Sequence, residues 1–319
     1  MKTAIAVALY NGERFLTEQL DSLRCQTCPA DQVVLCDDGS RDNTTQMVED
    51  YIRNHSLSDS WILYRNPENL GYIRNFYKAI SLCNAELVYL CDQDDIWEPD
   101  KLCRMNQVMT QHQEIVLLAS KYGIIDGEGK SRRSIVEPKA KQTGSLNSVS
   151  VEQIMYNYRW PGMIMCVRKD FFCEVYDTIS HQPVAHDLAL AILAADRTGF
   201  FDYDYVGAHH RRHGSNAARE EDRVFKLLNL ERKLTDIAVT KKLWQALIDA
   251  QFPLRDGNNE LIIRRKELLD RREEALLSKS LYKLLAVYKE DGGKLLRKFS
   301  LICDIWLILF GKIPPKKCN

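Results

Sequence analysis

Val88-Tyr89-Leu90-Cys91-Asp92-Gln93-Asp94-Asp95-Ile96-Trp97 is the stretch from which the rest of the chain can be read. The apolar run from Leu87 to Cys91 predicts a buried strand, and it ends in three carboxylates within four residues, Asp92, Asp94 and Asp95. In open α/β sheets, ligands bind beyond the carboxyl ends of the strands. Carboxylates crowded there repel one another unless a cation neutralises them, and hard divalent ions take oxygen ligands that they share with phosphates. Taken alone, the stretch leaves a second reading open: a plain acidic turn, with Asp95 capping the next helix.

The same pattern recurs upstream. Thr3–Leu9 predicts a strand ending in the turn Tyr10-Asn11-Gly12-Glu13, and helical spacing follows through Phe15, Leu16, Leu20 and Leu23. Gln32–Cys36 predicts a second strand, ending in Asp37-Asp38-Gly39-Ser40, with Ser40 or Asp42 placed to cap a helix through Met47, Val48 and Tyr51. A third strand at Trp61–Tyr64, a loop from Asn66 to Gly71 and a helix from Ile73 to Cys83 lead into the fourth strand. Such β-α-β-α alternation argues for a largely parallel sheet with helices on both faces.

Composition sets the outer bounds. With 319 residues, 45% hydrophobic and 28% charged, the chain has the make-up of a globular protein holding one catalytic domain and an appendage. Formal net charge is zero but unevenly spread: residues 220–319 carry 21 Lys/Arg against 15 Asp/Glu, hence +6, which leaves −6 on residues 1–219. An acidic front suits a metal, a basic tail suits an anionic surface, and nothing points to nucleic acid. The ten cysteines form no regular frame; Cys25-Gln26-Thr27-Cys28 spells C-x-x-C without a second half-site. Strand-like sequence directly after Lys2 leaves no secretory leader, so a reducing cytosol is the expected compartment.

Tyr10-Asn11-Gly12, Asp37-Asp38-Gly39-Ser40 with Asp42 and Thr44, Asn69-Leu70-Gly71, and Asp92-Gln93-Asp94-Asp95-Ile96-Trp97 with Pro99 and Lys101-Leu102 carry a resemblance. In order and spacing they resemble the family 2 inverting glycosyltransferases. That resemblance implies a GT-A fold, an α/β architecture whose Rossmann-like, mostly parallel central sheet is flanked by helices. It also implies a nucleotide-sugar donor and a divalent metal, manganese or magnesium. Carried over residue by residue, Asp94 is the direct metal ligand, and Asp92 contacts the ribose or the metal. Asp38 reads the base and Tyr10 lies beside it, with Glu13 of the same turn assigned to the donor nucleotide. A diphosphate leaving group carries several negative charges and departs more readily beside a Lewis acid.

Further along, Ile115–Ser120 predicts another strand and Asp126-Gly127-Glu128-Gly129 a hairpin turn. Residues 129–148, with Lys/Arg at 130, 132, 133, 139 and 141, read as a loop, either plain surface or a lid. Trp160–Arg168 resembles the family's small-residue segment beside the donor sugar, and a helix is expected from Asp170 or Phe171. His186-Asp187 opens a helix predicted to be amphipathic, at the family's catalytic-base position. Asp187 is the implied base and His186 orients it or the acceptor; the His-Asp form resembles the rhamnosyltransferase-like branch. Base catalysis requires a carboxylate that takes the acceptor hydroxyl's proton as that oxygen attacks the anomeric carbon. His209-His210-Arg211-Arg212-His213-Gly214-Ser215-Asn216 resembles a late family segment, which makes Arg211 and Arg212 phosphate contacts and His213 a contact to metal or diphosphate. Here His210 stands where an aromatic residue is usual.

Beyond residue 220 the resemblance fades into charge-laced helical patterns at Leu227–Leu247 and Glu260–Leu285. Leu295–Phe310 is apolar but interrupted by Asp304 and too short to span a bilayer. With Trp306 and basic flanks it suits an anionic membrane face, or packing on its own domain or a second subunit as a homodimer. The expected organisation is a glycosyltransferase domain over 1–219 and a helical extension over 220–319. The expected activity is metal-dependent inverting transfer of a sugar, rhamnose favoured, to a cell-surface polysaccharide or lipid-linked oligosaccharide at the inner face of the plasma membrane. The alternatives are a UDP-hexose or UDP-N-acetylhexosamine transferase and an inactive sugar-binding module. A nucleotidyltransferase would need a glycine-rich basic loop that Tyr10–Glu13 does not provide.

Overall fold

Thr3–Leu9 (β1) is buried at nearly every position, not at alternate ones, as a central strand covered on both faces must be. The computed structural model describes residues 1–132, 141–156, 158–213, 228–255, 257–292 and 298–311. Arg133, Lys139, Gly214, Ser215, Asn216, Lys294, Arg297, Lys312, Lys316 and Lys317, which enter the sequence reading, lie outside the described residues.

β1 pairs in parallel with β2 (Gln32–Asp37) and β4 (Leu87–Asp92), and β2 with β3 (Trp61–Arg65). Helices α1 (Leu16–Arg24), α2 (Thr44–Asn54) and α3 (Tyr72–Leu82) make the connections, as the alternation predicts. There follow β5 (Ile96–Trp97), α4 (Lys101–Gln111), β6 (Leu117–Asp126), β7 (Ser131–Arg132), β8 (Leu146–Ser148) and α5 (Val151–Tyr156). A 3-10 turn (Gly162–Ile164), β9 (Met165–Arg168), α6 (Lys169–Ile179), α7 (His186–Asp196) and β10 (Phe200–Arg212) complete this part. The sheet order is β3-β2-β1-β4-β9-β6-β10-β5, with β7 on β6 and β8 on β10.

The sheet is mixed. β6 and β10 run parallel, but β9 enters antiparallel between β4 and β6. Its register, Cys166 opposite Tyr89, sets the 3-10 turn just before β9 alongside the carboxyl end of β4. α7 differs from its expected amphipathic character: His186 and every residue from Leu188 to Asp196 are buried, so it is a core helix in which Asp187 alone is less than buried.

The cysteines also depart from expectation. Cys28 pairs not with Cys25 but with Cys103 at the start of α4, a disulfide with Cα atoms 5.3 Å apart. The partners are 75 residues apart, so spacing along the chain could not reveal a pair that the fold creates.

Two compact units are resolved, Met1–Val151 with Arg159–Arg219, and Glu152–Tyr158 with Glu220–Asn319. In the second lie α8 (Leu230–Ala250), α9 (Asn258–Leu277), α10 (Leu281–Asp291) and α11 (Lys298–Phe310). The pattern read as continuous from Glu260 to Leu285 is broken between α9 and α10. Lys279 turns to φ +50°, and the Ser280 hydroxyl caps the new helix at Lys283 N, 3.3 Å away. Asp304 does not interrupt α11: it is fully buried, held by Arg272 at 2.7 and 3.1 Å, while Ile302, Trp306, Leu309 and Phe310 face outward. Among the described residues, no helix is long and apolar enough to cross a membrane.

Candidate active site

The carboxyl ends of β1, β2 and β4 converge on a cavity of about 400 Å³, lined by Tyr10, Asp38, Asn75, Asp92, Gln93 and Asp94 among others. Its walls are set by polar ties between loops. Asp38 is buried and accepts from Asn66 Nδ2 (2.9 Å) and Leu70 N (2.7 Å) on one oxygen and from Gly71 N (2.8 Å) on the other. The Asn69–Gly71 loop is thereby folded around it, with Gly71 at φ +79°, a conformation costly for residues with a Cβ. Gln93 clamps Tyr10, its Oε1 accepting from Tyr10 N (2.8 Å) and its Nε2 donating to Tyr10 O (2.9 Å). A Cβ on Gly12 would come within 2.3 Å of that amide, which explains the glycine in Tyr10-Asn11-Gly12.

The three carboxylates after β4 take separate positions. Asp95 turns inward and is fully buried. Its Oδ1 accepts from Arg211 N (2.9 Å) and lies 3.1 Å from His210 Nδ1. It ties the turn to β10 and does not cap α4. Asp94 faces His213, whose Nε2 lies 2.8 Å from Asp94 Oδ2 and whose ring packs on Phe15 at 4.6 Å. Burial, then the charges of Asp95 and Asp94, push the pKa of Asp92 well up. Burial and Asp95 also raise Asp94, against the opposing pull of His213. Burial disfavours protonated His210, but Asp95, Asp92 and Asp94 outweigh it and raise its pKa.

Asp187 opens α7, with its Oδ1 accepting from Leu188 N at 2.8 Å, and its charge is felt at Asp92, Tyr72 and Tyr77. His186 does not orient it. The imidazole is buried, stacks on Phe76 at 3.9 Å, and leaves both ring nitrogens without a partner. Burial lowers its pKa, so the ring is held neutral, and Gly162 supplies its space, since a Cβ there would meet Nε2 at 2.6 Å. His186 therefore backs the cavity wall through Phe76.

Two further expectations are corrected. Arg211 is fully buried: Nε donates to Asp94 O (2.9 Å), and Nη2 pairs with Glu18 Oε2 at 2.6 Å. Strand alternation turns it inward, so it braces the acidic turn. Glu13 accepts from Asn43 N and Nδ2, both at 3.0 Å, and anchors the start of α2 in place of lining the cavity. Arg212, next along β10, is half-buried. Sequence reasoning missed Gln93 and Asn75. Asn75 Nδ2 donates to Cys36 O (2.9 Å) and its Oδ1 accepts from Asn66 Nδ2 (2.9 Å), but in sequence it is one polar residue in a helix.

Among the described residues no cluster of three or more His, Cys, Asp or Glu side chains forms a complete metal cage. The donor set nevertheless fits a divalent cation. Asp94 Oδ2 and His213 Nε2 meet at one point, beside Asp92, in a site where burial and mutual repulsion disfavour bare carboxylates. Magnesium-type sites typically use one or two carboxylates and complete their shell with substrate phosphates and water.

The model for glycosyl transferase family 2 matches residues 4–169, just over half of the chain. The chain belongs to glycosyl transferase family 2. An uncharacterized glycosyltransferase of Haemophilus influenzae is 27% identical over 245 residues, 71% of this chain and 85% of its own. The poly(ribitol-phosphate) β-N-acetylglucosaminyltransferase TarS of Staphylococcus aureus is 33% identical over 150 residues, 46% of this chain and 25% of its own. An uncharacterized glycosyltransferase of Nostoc is 29% identical over 152 residues, 48% and 46% of the two chains. The match thus spans less than half the length of the Nostoc and TarS proteins. The crystal structure of TarS residues 1–349 with UDP-GlcNAc is similar over 97% of this chain and 82% of its own, with 18% identity and a TM-score of 0.57. The fold is GT-A.

Proposed function

We propose that this protein transfers a sugar from a nucleoside-diphosphate donor to a saccharide hydroxyl, with inversion, and that a divalent cation at Asp94 and His213 supports the transfer. The observation that carries this reading is the meeting of Asp94 with His213 at the rim of a cavity whose walls include Asp38, Tyr10 and Asp92. Asp38 still has acceptor capacity on Oδ2, which takes only the Gly71 N–H, and that suits an N–H of the nucleobase. Asp92 is the ribose contact. The cation, manganese or magnesium, would neutralise the charge of the departing diphosphate.

Asp187 is the base in this reading. Its carboxylate takes the proton of the acceptor hydroxyl while that oxygen attacks the anomeric carbon from the face opposite the diphosphate, which inverts the configuration. His186 and Phe76 hold the wall beside it, and Arg211 keeps the acidic turn in place. Arg212 is the remaining phosphate candidate on β10.

The donor sugar to test first is rhamnose, for the resemblance carried by His186-Asp187; the N-acetylglucosamine of the TarS complex is second. The acceptor is a saccharide of the cell envelope, free or lipid-linked. The outward stripe Ile302, Trp306, Leu309 and Phe310 on α11 supports docking on the inner face of an anionic membrane, given the lysines near it in sequence.

A thermal-shift series with UDP-, dTDP- and GDP-sugars, with and without manganese or magnesium, tests the donor site. A ligand that binds the native state raises the apparent Tm with its saturation. A metal-dependent shift with one nucleotide class is expected. No shift with any donor, at concentrations where transfer is also absent, would leave only a sugar-binding module.

A further inference from the structure

Tyr72 is the first residue of α3, directly after Gly71, whose N–H is held by Asp38. Its side chain lines the candidate active-site cavity and yet is 62% exposed. Among the described aromatic residues of the first unit, Tyr10 and Tyr72 alone are exposed, and both lie on this one cavity. A lone exposed ring needs no explanation, whereas two rings on one concave wall offer apolar faces to a ligand.

The two rings stand in different surroundings. Tyr10 is clamped by Gln93, whereas Tyr72 turns toward the start of α7. Its ring lies 6.3 Å from that of His186, edge to face at 73°, and His186 immediately precedes Asp187. Loss of water, then the charge of Asp187, raise the Tyr72 pKa, in keeping with a phenol on the Asp187 side. The fold makes little use of the ring. His186 is already stacked on Phe76 at 3.9 Å, and the Tyr72 hydroxyl has no hydrogen-bond partner among the described residues. The chemistry at Asp187 says what would use it. A pyranose has a face of C–H groups and a rim of hydroxyls. An aromatic ring covers that face by dispersion and exclusion of water, and leaves the rim to polar partners. A sugar laid on Tyr72 has its rim beside the carboxylate to which one hydroxyl must give its proton.

We propose that Tyr72 is the platform for the acceptor: a pyranose unit stacks its C–H face on the ring, the phenol hydroxyl bonds one of its hydroxyls, and another is presented to Asp187. The proposal rests on the transfer reading with Asp187 as the base. It makes Tyr72 an acceptor-binding residue and sets a selectivity, because an open-chain polyol has hydroxyls to offer but no flat face to lay on the ring.

The test uses the full chain with manganese, and dTDP-rhamnose and UDP-N-acetylglucosamine as donors. Octyl β-D-glucopyranoside, octyl β-D-galactopyranoside and octyl α-L-rhamnopyranoside are the acceptor probes, with ribitol phosphate as the open-chain control. Transfer to at least one glycoside in preference to ribitol phosphate is expected. In Tyr72→Ala the KM for that glycoside should rise at least about tenfold while the donor KM changes by less than about twofold. Tyr72→Phe keeps the face and loses the hydroxyl, so its acceptor KM should lie between those of the parent and Tyr72→Ala. Both variants should fold, since the side chain is exposed and alanine favours a helix, and the denaturation midpoint checks this. A merely structural role would move the donor and acceptor KM together. A parent that neither transfers to any probe nor releases sugar to water from either donor fails the transfer reading, and the platform falls with it. Release to water without transfer to any glycoside, a preference for ribitol phosphate, an equal rise of both KM values or an unaltered acceptor KM in Tyr72→Ala would overturn this proposal alone.

Discussion

His213 Nε2 lies 2.8 Å from Asp94 Oδ2, joining the end of β10 to the turn after β4 across 119 residues of sequence. If these two atoms share a cation, replacing the nitrogen should remove metal dependence without unfolding the chain. His213→Phe keeps the packing on Phe15. We expect its stability to stay within about 1 kcal/mol of the parent, while the manganese-dependent part of donor affinity falls at least about tenfold. Calorimetric titration of donor with and without manganese measures this, and an unchanged metal dependence removes His213 from the site.

Asp187→Asn separates binding from chemistry. The amide keeps the shape of the α7 N-terminus but cannot take a proton. Donor-induced thermal shifts should persist while the transfer rate drops by about 10²–10⁴. Retained transfer refutes the base assignment.

Arg211 offers the opposite contrast. Its Nε and Nη2 donate to Asp94 O and Glu18 and its Nη1 to Asp126 O and Gly127 O, so Arg211→Met should cost stability, about 3 kcal/mol by denaturant titration. A residue that gripped phosphate would instead weaken the donor and leave the denaturation midpoint alone.

Lys101 supplies a pH dependence. Its ammonium is fully buried, donating to Met163 O at 2.7 Å, and burial lowers its pKa from 10.5 to about 7. Between those values the unfolded chain holds a proton that the folded chain has released. Stability should therefore rise with pH from about 7 towards 10.5, by up to about 1.4 kcal/mol per pH unit, and be flat in this contribution below 7. Lys101→Met should abolish the rise. Parallel pH series of the two proteins, differing by no such slope, would show that the ammonium keeps its charge inside.

Much of this was legible in the sequence because it depends on local patterns. Continuous apolar runs such as Thr3–Leu9 identify central strands, and the turns after them carry the cavity residues Tyr10, Asp38, Asp92 and Asp94. What sequence could not show is direction. Arg211 and Arg212 look equivalent on paper, and only the pleat of β10 decides that Arg211 is interior. His186 and Asp187 are neighbours, yet the helix start turns one ring into Phe76 and leaves the other side chain near Asp92. Gln93 and Asn75 act through hydrogen bonds to distant backbone atoms, which leave no periodic trace.

The Arg272–Asp304 pair makes α11 intolerant of length changes within the helix ahead of Asp304. Each residue added or removed rotates an α-helix by about 100°. A single deletion between Ser300 and Asp304 would swing the carboxylate out of reach of Arg272 and set an aliphatic side chain against the guanidinium. Substitutions at Ile302, Trp306 or Leu309 leave that pairing untouched. Drift in this segment should therefore proceed by exchange of side chains on the outer face, with insertions and deletions pushed into the connection before α11.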